Sequence, residues 1–403
     1  MPEKVLCVPN RIGDAPCNYF PTSNISNKIP IKLGVAASGE QLTAGNRSAH
    51  RQGASAHRPP SPDRGCATVG AMFAWESLDA LSHALELCRV DRERRVVVIL
   101  DDQIDRDRAG LVRAAVACTG ADALEVQPIR ASDPQDQSLL LLLASKVDLI
   151  ITSSPGHAQA LADTGPRVLL LEPDASPHVF PPHANLRLRV KALVDQIDRS
   201  EALHITDDFG TALDFALARA TTTFDYGLVG ETNPNATFPA GWVSAQPGRG
   251  CLNGSLVVLP GDGNVTAERH ISSPVKIEIV DDYISAIHGD SADADIIRAL
   301  LEYTSDPAAY GAAQVVFGLN PGTRRVQPFD AQLLHPQLSQ LAAGVITVSF
   351  GENETAERAC EPPVTMRFSL ASRTATVDGL PIAARGILQG DYAPDVYETT
   401  SAD

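Results

Sequence analysis

The residues able to do acid–base, nucleophilic or metal chemistry are scattered along this chain. Of its ten His, His157 follows Pro155-Gly156, and His178 and His183 stand in a Pro-rich stretch. His204, His270, His288 and His335 are isolated. None has the i, i+4 or H-x-H spacing that brings two imidazoles onto one ion, so exposed or structurally satisfied roles are expected. The seven Cys (Cys7, Cys17, Cys66, Cys88, Cys118, Cys251 and Cys360) form no C-x-x-C pair. Neither a disulfide framework nor a zinc knuckle is expected, and a reduced compartment fits. Asp207-Asp208 and Asp281-Asp282 suit turns and helix caps. No G-x-S-x-G elbow and no catalytic Cys signature occurs. No residue is therefore assigned a catalytic role, and no cofactor or metal is expected.

The elements that must position any site follow from composition and period. The chain has 403 residues, 44% of them hydrophobic and 20% charged. That length suits two domains rather than one core. The formal charge of −16, from 33 basic and 49 acidic residues, argues against a nucleic-acid or anionic-membrane partner. The longest apolar run, Leu139 to Ile151, is broken by Lys146 and Asp148 and is too short to cross a bilayer. No secretory pattern opens the chain, so a cytoplasmic location is expected.

Residues 1–68 are rich in Ser, Gly, Pro and Arg without an apolar period, and a disordered N-terminal extension is expected. Its one candidate strand is Ile29 to Val35. From 69 to 200, apolar strands alternate with helical patterns: Arg95-Val-Val-Val-Ile-Leu, Ala123 to Ile129, Val147 to Thr152 and Arg167 to Glu172. Between them lie helices at Trp75–Cys88, Leu111–Cys118, Gln137–Ser145 and His157–Asp163. The order implies an α/β domain with a parallel sheet covered on both faces. No G-x-G-x-x-G follows the first strand, so no dinucleotide site is supported. Residues 201–396 read as a mixed α+β domain of Gly- and Pro-punctuated strands, with an amphipathic helix at Asp293–Tyr303 and a short tail over 397–403.

Three stretches of the second half stand in a telling order. Phe238-Pro-Ala-Gly-Trp-Val-Ser-Ala-Gln-Pro leads to Leu252-Asn-Gly-Ser. Val316-Phe-Gly-Leu-Asn-Pro-Gly follows. Gly344-Val-Ile-Thr-Val-Ser-Phe-Gly-Glu-Asn comes last, with the later Thr374-Ala-Thr-Val-Asp-Gly. With the His204 run ahead of them, they resemble the C-terminal domain shared by 2,5-dihydroxypyridine 5,6-dioxygenases and M29 aminopeptidases. The similarity extends over residues 75–390.

The resemblance implies metal enzymes, and this chain departs from it at the ligands. The dioxygenases hold a non-haem iron with two His and one carboxylate. The first His position, just before the G-L-N motif, is Gln314 here. The H-x-D pair on the strand before T-x-T-x-D-G is Thr365 and Arg367. The aminopeptidase pattern places a Glu after P-A-G, here Trp242, and a His in a later strand, here Thr347. Arg cannot ligate a cation and repels one.

The expectation drawn from this is a metal-free, non-catalytic protein, a pseudoenzyme that keeps the old cleft for recognition. Trp242, Asn253, Gln314, Asn320, Thr347, Thr365 and Arg367 are its candidate ligand-binding residues. Trp242 offers a stacking face, Gln314 and Thr365 hydrogen bonds, and Arg367 a fork for a carboxylate. The expected partner is a peptide or small anion. By analogy alone, it is a precursor peptide in natural-product biosynthesis, presented to other enzymes of one pathway. A homo-oligomer, a dimer first, is expected from the relatives. The competing reading is an active ring-cleaving dioxygenase or hydrolase with relocated ligands.

Overall fold

Alternation of buried side chains builds the first layer of the fold. The computed structural model describes residues 63–100, 104–126, 134–161, 165–172, 177–324, 336–353, 360 and 362–395. The strand expected at Ile29–Val35, both chain ends and His335 lie outside the described residues. The first half runs α1 (Asp63–Leu87), β1 (Arg95–Ile99), α2 (Arg106–Thr119), β2 (Asp122–Val126), α3 (Pro134–Ala144), β3 (Leu149–Thr152), α4 (Pro155–Leu161), β4 (Arg167–Leu171) and α5 (Leu186–Ile197). Val96 and Val98 point into the main core with α1 and α2, while Val97 and Ile99 join Leu140, Ala144 and Leu161 on the other face. Successive strand residues thus feed opposite layers, the arrangement of a parallel sheet clad on both sides. Asp105 caps α2 by accepting the Asp107 and Arg108 amides, and Gly120, at φ 71°, ends it, as the left-handed position after a helix favours.

α5 is not among the helices expected from the sequence, although Leu186, Val190, Leu193 and Ile197 are all buried at helical spacing. The Pro-rich run ahead of it obscured the period.

The second half continues with β5 (Ala202–Thr206), β6 (Ala212–Ala216), β7 (Thr221–Asp225), β8 (Asn235–Phe238), β9 (Trp242–Gln246), β10 (Leu252–Val258), β11 (Gly263–Asn264), β12 (Arg269–His270), β13 (Val275–Val280) and β14 (Tyr283–His288). Then come α6 (Ala292–Thr304), β15 (Ala312–Gly318), β16 (Ile346–Phe350), β17 (Met366–Leu370), β18 (Thr374–Val377), β19 (Leu380–Ala384) and β20 (Ile387–Leu388). These strands form an eight-stranded sheet, β14-β13-β10-β6-β5-β18-β19-β20, and a seven-stranded sheet, β12-β11-β17-β16-β15-β9-β7. Both are antiparallel at every described pair.

One strand leaves its neighbours. β8 pairs in parallel with β4 and completes the first sheet in the order β2-β1-β3-β4-β8. The chain therefore passes from the seven-stranded sheet (β7) to the parallel sheet (β8) and back (β9). A carboxylate clamps that excursion. Asp225, at the end of β7, accepts the Gly227 amide (2.8 Å), the Thr237 amide (2.6 Å) and the Asn233 side-chain amide (3.2 Å).

Candidate functional site

The seven-stranded sheet has two unlike faces. On one, Val243, Val315, Phe317, Ile346, Val348, Phe350, Met366, Phe368 and Leu370 are sealed in the main core. The period of two then sends their neighbours Ser244, Gln314, Thr347, Ser349, Arg367 and Ser369 to the other face. Register brings them into rows. Gln314 stands opposite Ser349, and Ser349 opposite Arg367. Thr347 is flanked by Val316 and Ser369, with Ser244 beyond Val316. A register shift between Ala312 and Gln314 marks a bulge at the edge of this patch. Bulges recur where a side chain must be re-aimed.

Most of this polar face is covered. The short 3-10 helix Pro336–Leu341 lies over it, and Ser339 Oγ donates to Ser369 Oγ at 2.9 Å, with Thr347 Oγ1 3.2 Å from the same oxygen. Ser244, Thr347, Ser349 and Ser369 are buried as a result. The cover can approach because Gly318 has no side chain: a Cβ there would lie 2.2 Å from the Ala342 carbonyl oxygen. Phe180, Leu338 and Leu341 form a small apolar cluster against which Trp242 packs.

The expected ligand-binding residues are accordingly dispersed. Trp242, half-buried, packs against that cluster. From strand spacing and rise, three strands across and four residues along, it lies about 20 Å from Arg367. Asn320 stitches backbone: its amide donates to the Ala240 carbonyl (2.6 Å) and its Oδ1 accepts the Gly322 amide (3.0 Å). Asn253 lies in the eight-stranded sheet, where its Oδ1 accepts the Asp281 amide at 2.8 Å. Thr347 lies beneath the cover. Thr365, just ahead of β17, accepts the Glu352 amide through Oγ1 at 3.4 Å.

Two of the seven remain together at the open end. Gln314 and Arg367 are half-buried, on one face and two strands apart. Ser244 Oγ donates to Gln314 Oε1 at 2.7 Å, which commits the amide oxygen and turns the NH2 group outward. Arg367 Nε is buried and has no hydrogen-bond partner among the described residues. Ser244, Ser349 and Ser369 were not singled out from sequence. Their signal was the alternation of hydroxyl and apolar residues in Thr347-Val-Ser and Arg367-Phe-Ser.

This donor set does not fit the iron or zinc that the family resemblance implies. A primary amide, two Thr hydroxyls, an indole and a guanidinium stand at the five positions, and none is an imidazole or carboxylate. Among the described residues no group of three or more His, Cys, Asp or Glu converges on one point.

Elsewhere, one polar cavity already pairs its charges. A cavity of about 340 Å³ is lined by residues including Asp207, Asp208, Phe209, Arg373 and Arg385. At its floor the buried Arg373 places Nε 3.0 Å from Asp207 and Nη2 2.5 Å from Asp262. Burial pushes the Asp262 carboxyl above its usual range despite Arg373. Burial also pushes Asp207 upward, but hydrogen bonds from Thr211 and Phe209 and the charge of Arg373 outweigh it and hold that carboxyl low. Arg385 and Asp208 pair at the rim, 2.9 Å apart. Asp225 is different: burial drives its pKa to about 6, against the opposing pull of its hydrogen bonds.

A parallel α/β layer joined to a two-sheet antiparallel domain is an architecture shared with solved proteins. The structure of 2,5-dihydroxypyridine dioxygenase from Pseudomonas putida KT2440 superposes with a TM-score of 0.65 at 22% identity, over 80% of this chain and 98% of that one. Wild-type AmpT from Thermus thermophilus superposes with a TM-score of 0.53 at 12% identity, over 79% of this chain and 100% of that one. These two establish the fold. In sequence, residues 76–390 match the family 2,5-dihydroxypyridine 5,6-dioxygenase, and the chain belongs to that family. The Pseudomonas putida 2,5-dihydroxypyridine 5,6-dioxygenase is 25% identical over 262 residues, 59% of this chain and 74% of that protein. Among the described residues no helix is long and apolar enough to cross a membrane.

Proposed function

We propose that this chain is a metal-free binding protein on the dioxygenase scaffold, one that holds a peptide where its relatives do chemistry. The observation that carries the reading is Arg367. The family resemblance places a metal-ligating carboxylate there. Instead a permanent cation stands on the polar face, with its Nε buried and unpaired among the described residues. Unpaired buried donors are costly, so such a group is retained most economically when a ligand anion completes it. A peptide is favoured over a compact ring by the sequence resemblance to M29 aminopeptidases and by the strand-lined face, which suits an extended chain. Presentation of a precursor peptide to other enzymes, by a homodimer, is the setting proposed for it.

The test joins metal analysis to ligand capture. The purified full chain is loaded with iron(II) or zinc, dialysed and assayed for metal, then exposed to a library of free-acid tripeptides with retention read by mass spectrometry. Far less than one metal per chain, together with retained peptides, is the expected result. One tightly held metal per chain, with turnover of 2,5-dihydroxypyridine, would instead make it an active dioxygenase with relocated ligands.

A further inference from the structure

We infer that the open end of the polar face is a carboxylate subsite. It is built from the Arg367 guanidinium and the Gln314 side-chain amide, with Ser244 as the residue that orients the amide. The inference rests on the proposed function and adds the chemical group that is gripped.

Gln314 and Arg367 flank Ser349 in one row of the sheet, which places their Cα atoms about 10 Å apart. Both side chains are long enough to lean over Ser349 toward one another, and both are half-buried while the residues between and beside them are buried. A free glutamine amide presents a donor and an acceptor in either order, and so does not discriminate an anion from a neutral amide. Here the order is set. The Ser244 hydroxyl donates to Gln314 Oε1 at 2.7 Å, which leaves the NH2 group as the exposed end. Ser349 does not donate to the amide oxygen as well, since its one hydroxyl proton goes to the Gln314 main-chain carbonyl at 3.3 Å. The open end thus offers N–H donors from two sides.

Such a site accepts a carboxylate oxygen on each donor group. It leaves the N–H of a carboxamide unpaired and facing another donor. The peptide's C-terminal carboxylate fits, and an acidic side chain has the same chemistry. Arg367 forms no ion pair among the described residues, so no described protein carboxylate fills the place first.

The experiment compares matched tripeptide libraries, free acids against C-terminal amides, on the full chain by affinity-selection mass spectrometry. Selected peptides, propionate and benzoate are then titrated calorimetrically. Free acids are expected to bind about tenfold or more tighter than their amides. Arg367→Gln should remove most of that preference. Ser244→Ala should shrink it, because the Gln314 amide is then able to flip and present its oxygen to a neutral ligand. The acid-against-amide comparison uses the unmodified protein, so a variant that fails to fold cannot decide the matter. Acids and amides bound equally would overturn the carboxylate subsite while leaving peptide binding intact. Carboxylates bound in an Arg367-dependent way with no peptide retained would uphold the subsite and overturn the peptide reading. Retention of nothing from either library, with no carboxylate bound, would overturn both.

Discussion

Asp225 offers the sharpest test of how the two halves of the fold are held together. Its carboxylate has no cationic hydrogen-bond partner among the described residues and instead accepts three N–H groups, from Gly227, Asn233 and Thr237. These bonds tie β7 to the loop that carries β8 into the parallel sheet. Replacing Asp225 by Ala strands those donors in a buried place, at a cost of about 1 kcal/mol or more each. About 3 kcal/mol of stability should therefore be lost at pH 7. The pH dependence carries the opposite signature from an ordinary ion-paired carboxylate. Burial raises the folded pKa from 3.8 to about 6, so the folded state holds its proton more tightly than the unfolded chain does. The associated stabilisation is complete below the unfolded pKa and is lost as pH rises through the folded one. Over the whole window it is worth roughly 3 kcal/mol, and between pH 4.5 and pH 7 about 2 kcal/mol. Urea unfolding of wild type and Asp225→Ala at several pH values reads both effects. The gap between the two proteins should be wider by about 2 kcal/mol at pH 4.5 than at pH 7. A gap that does not change with pH, or a variant within about 1 kcal/mol of wild type throughout, would refute the clamp.

Two further outcomes follow from the packing. Arg373→Met should destabilise by about 3–5 kcal/mol, because it leaves the Asp207 and Asp262 carboxylates buried without their shared cation; in the same urea assay, adding Asp262→Asn should recover part of the loss. Trp242→Ala should cost about 2–3 kcal/mol by emptying the space beside Phe180, Leu338 and Leu341. It should leave tripeptide retention unchanged, and loss of retention at full stability would show that Trp242 touches ligand.

Much of this architecture was legible before any coordinates. The run Arg95-Val-Val-Val-Ile needs both of its faces covered, because every second residue is as apolar as its neighbour, and a clad parallel sheet is the remaining answer. The alternation in Ile346-Thr-Val-Ser-Phe and Met366-Arg-Phe-Ser-Leu likewise dictates one apolar and one polar face. The residue types at Gln314 and Arg367 already excluded a histidine and a carboxylate at those positions, whatever the fold.

What only the tertiary structure decided was adjacency. Gln314, Ser349 and Arg367 become neighbours through strand register, a long-range pairing that period alone does not specify. The same pairing separates residues that stand close in the chain: Trp242 goes into the seven-stranded sheet, and Asn253, eleven residues on, goes into the eight-stranded one. Local pattern says which way a side chain faces relative to its neighbours, but burial depends on what arrives from elsewhere. Ser339 closes over Ser369 and Gly318 lets the Ala342 backbone come close, while Gln314 and Arg367 stay half-buried at the other end of the face.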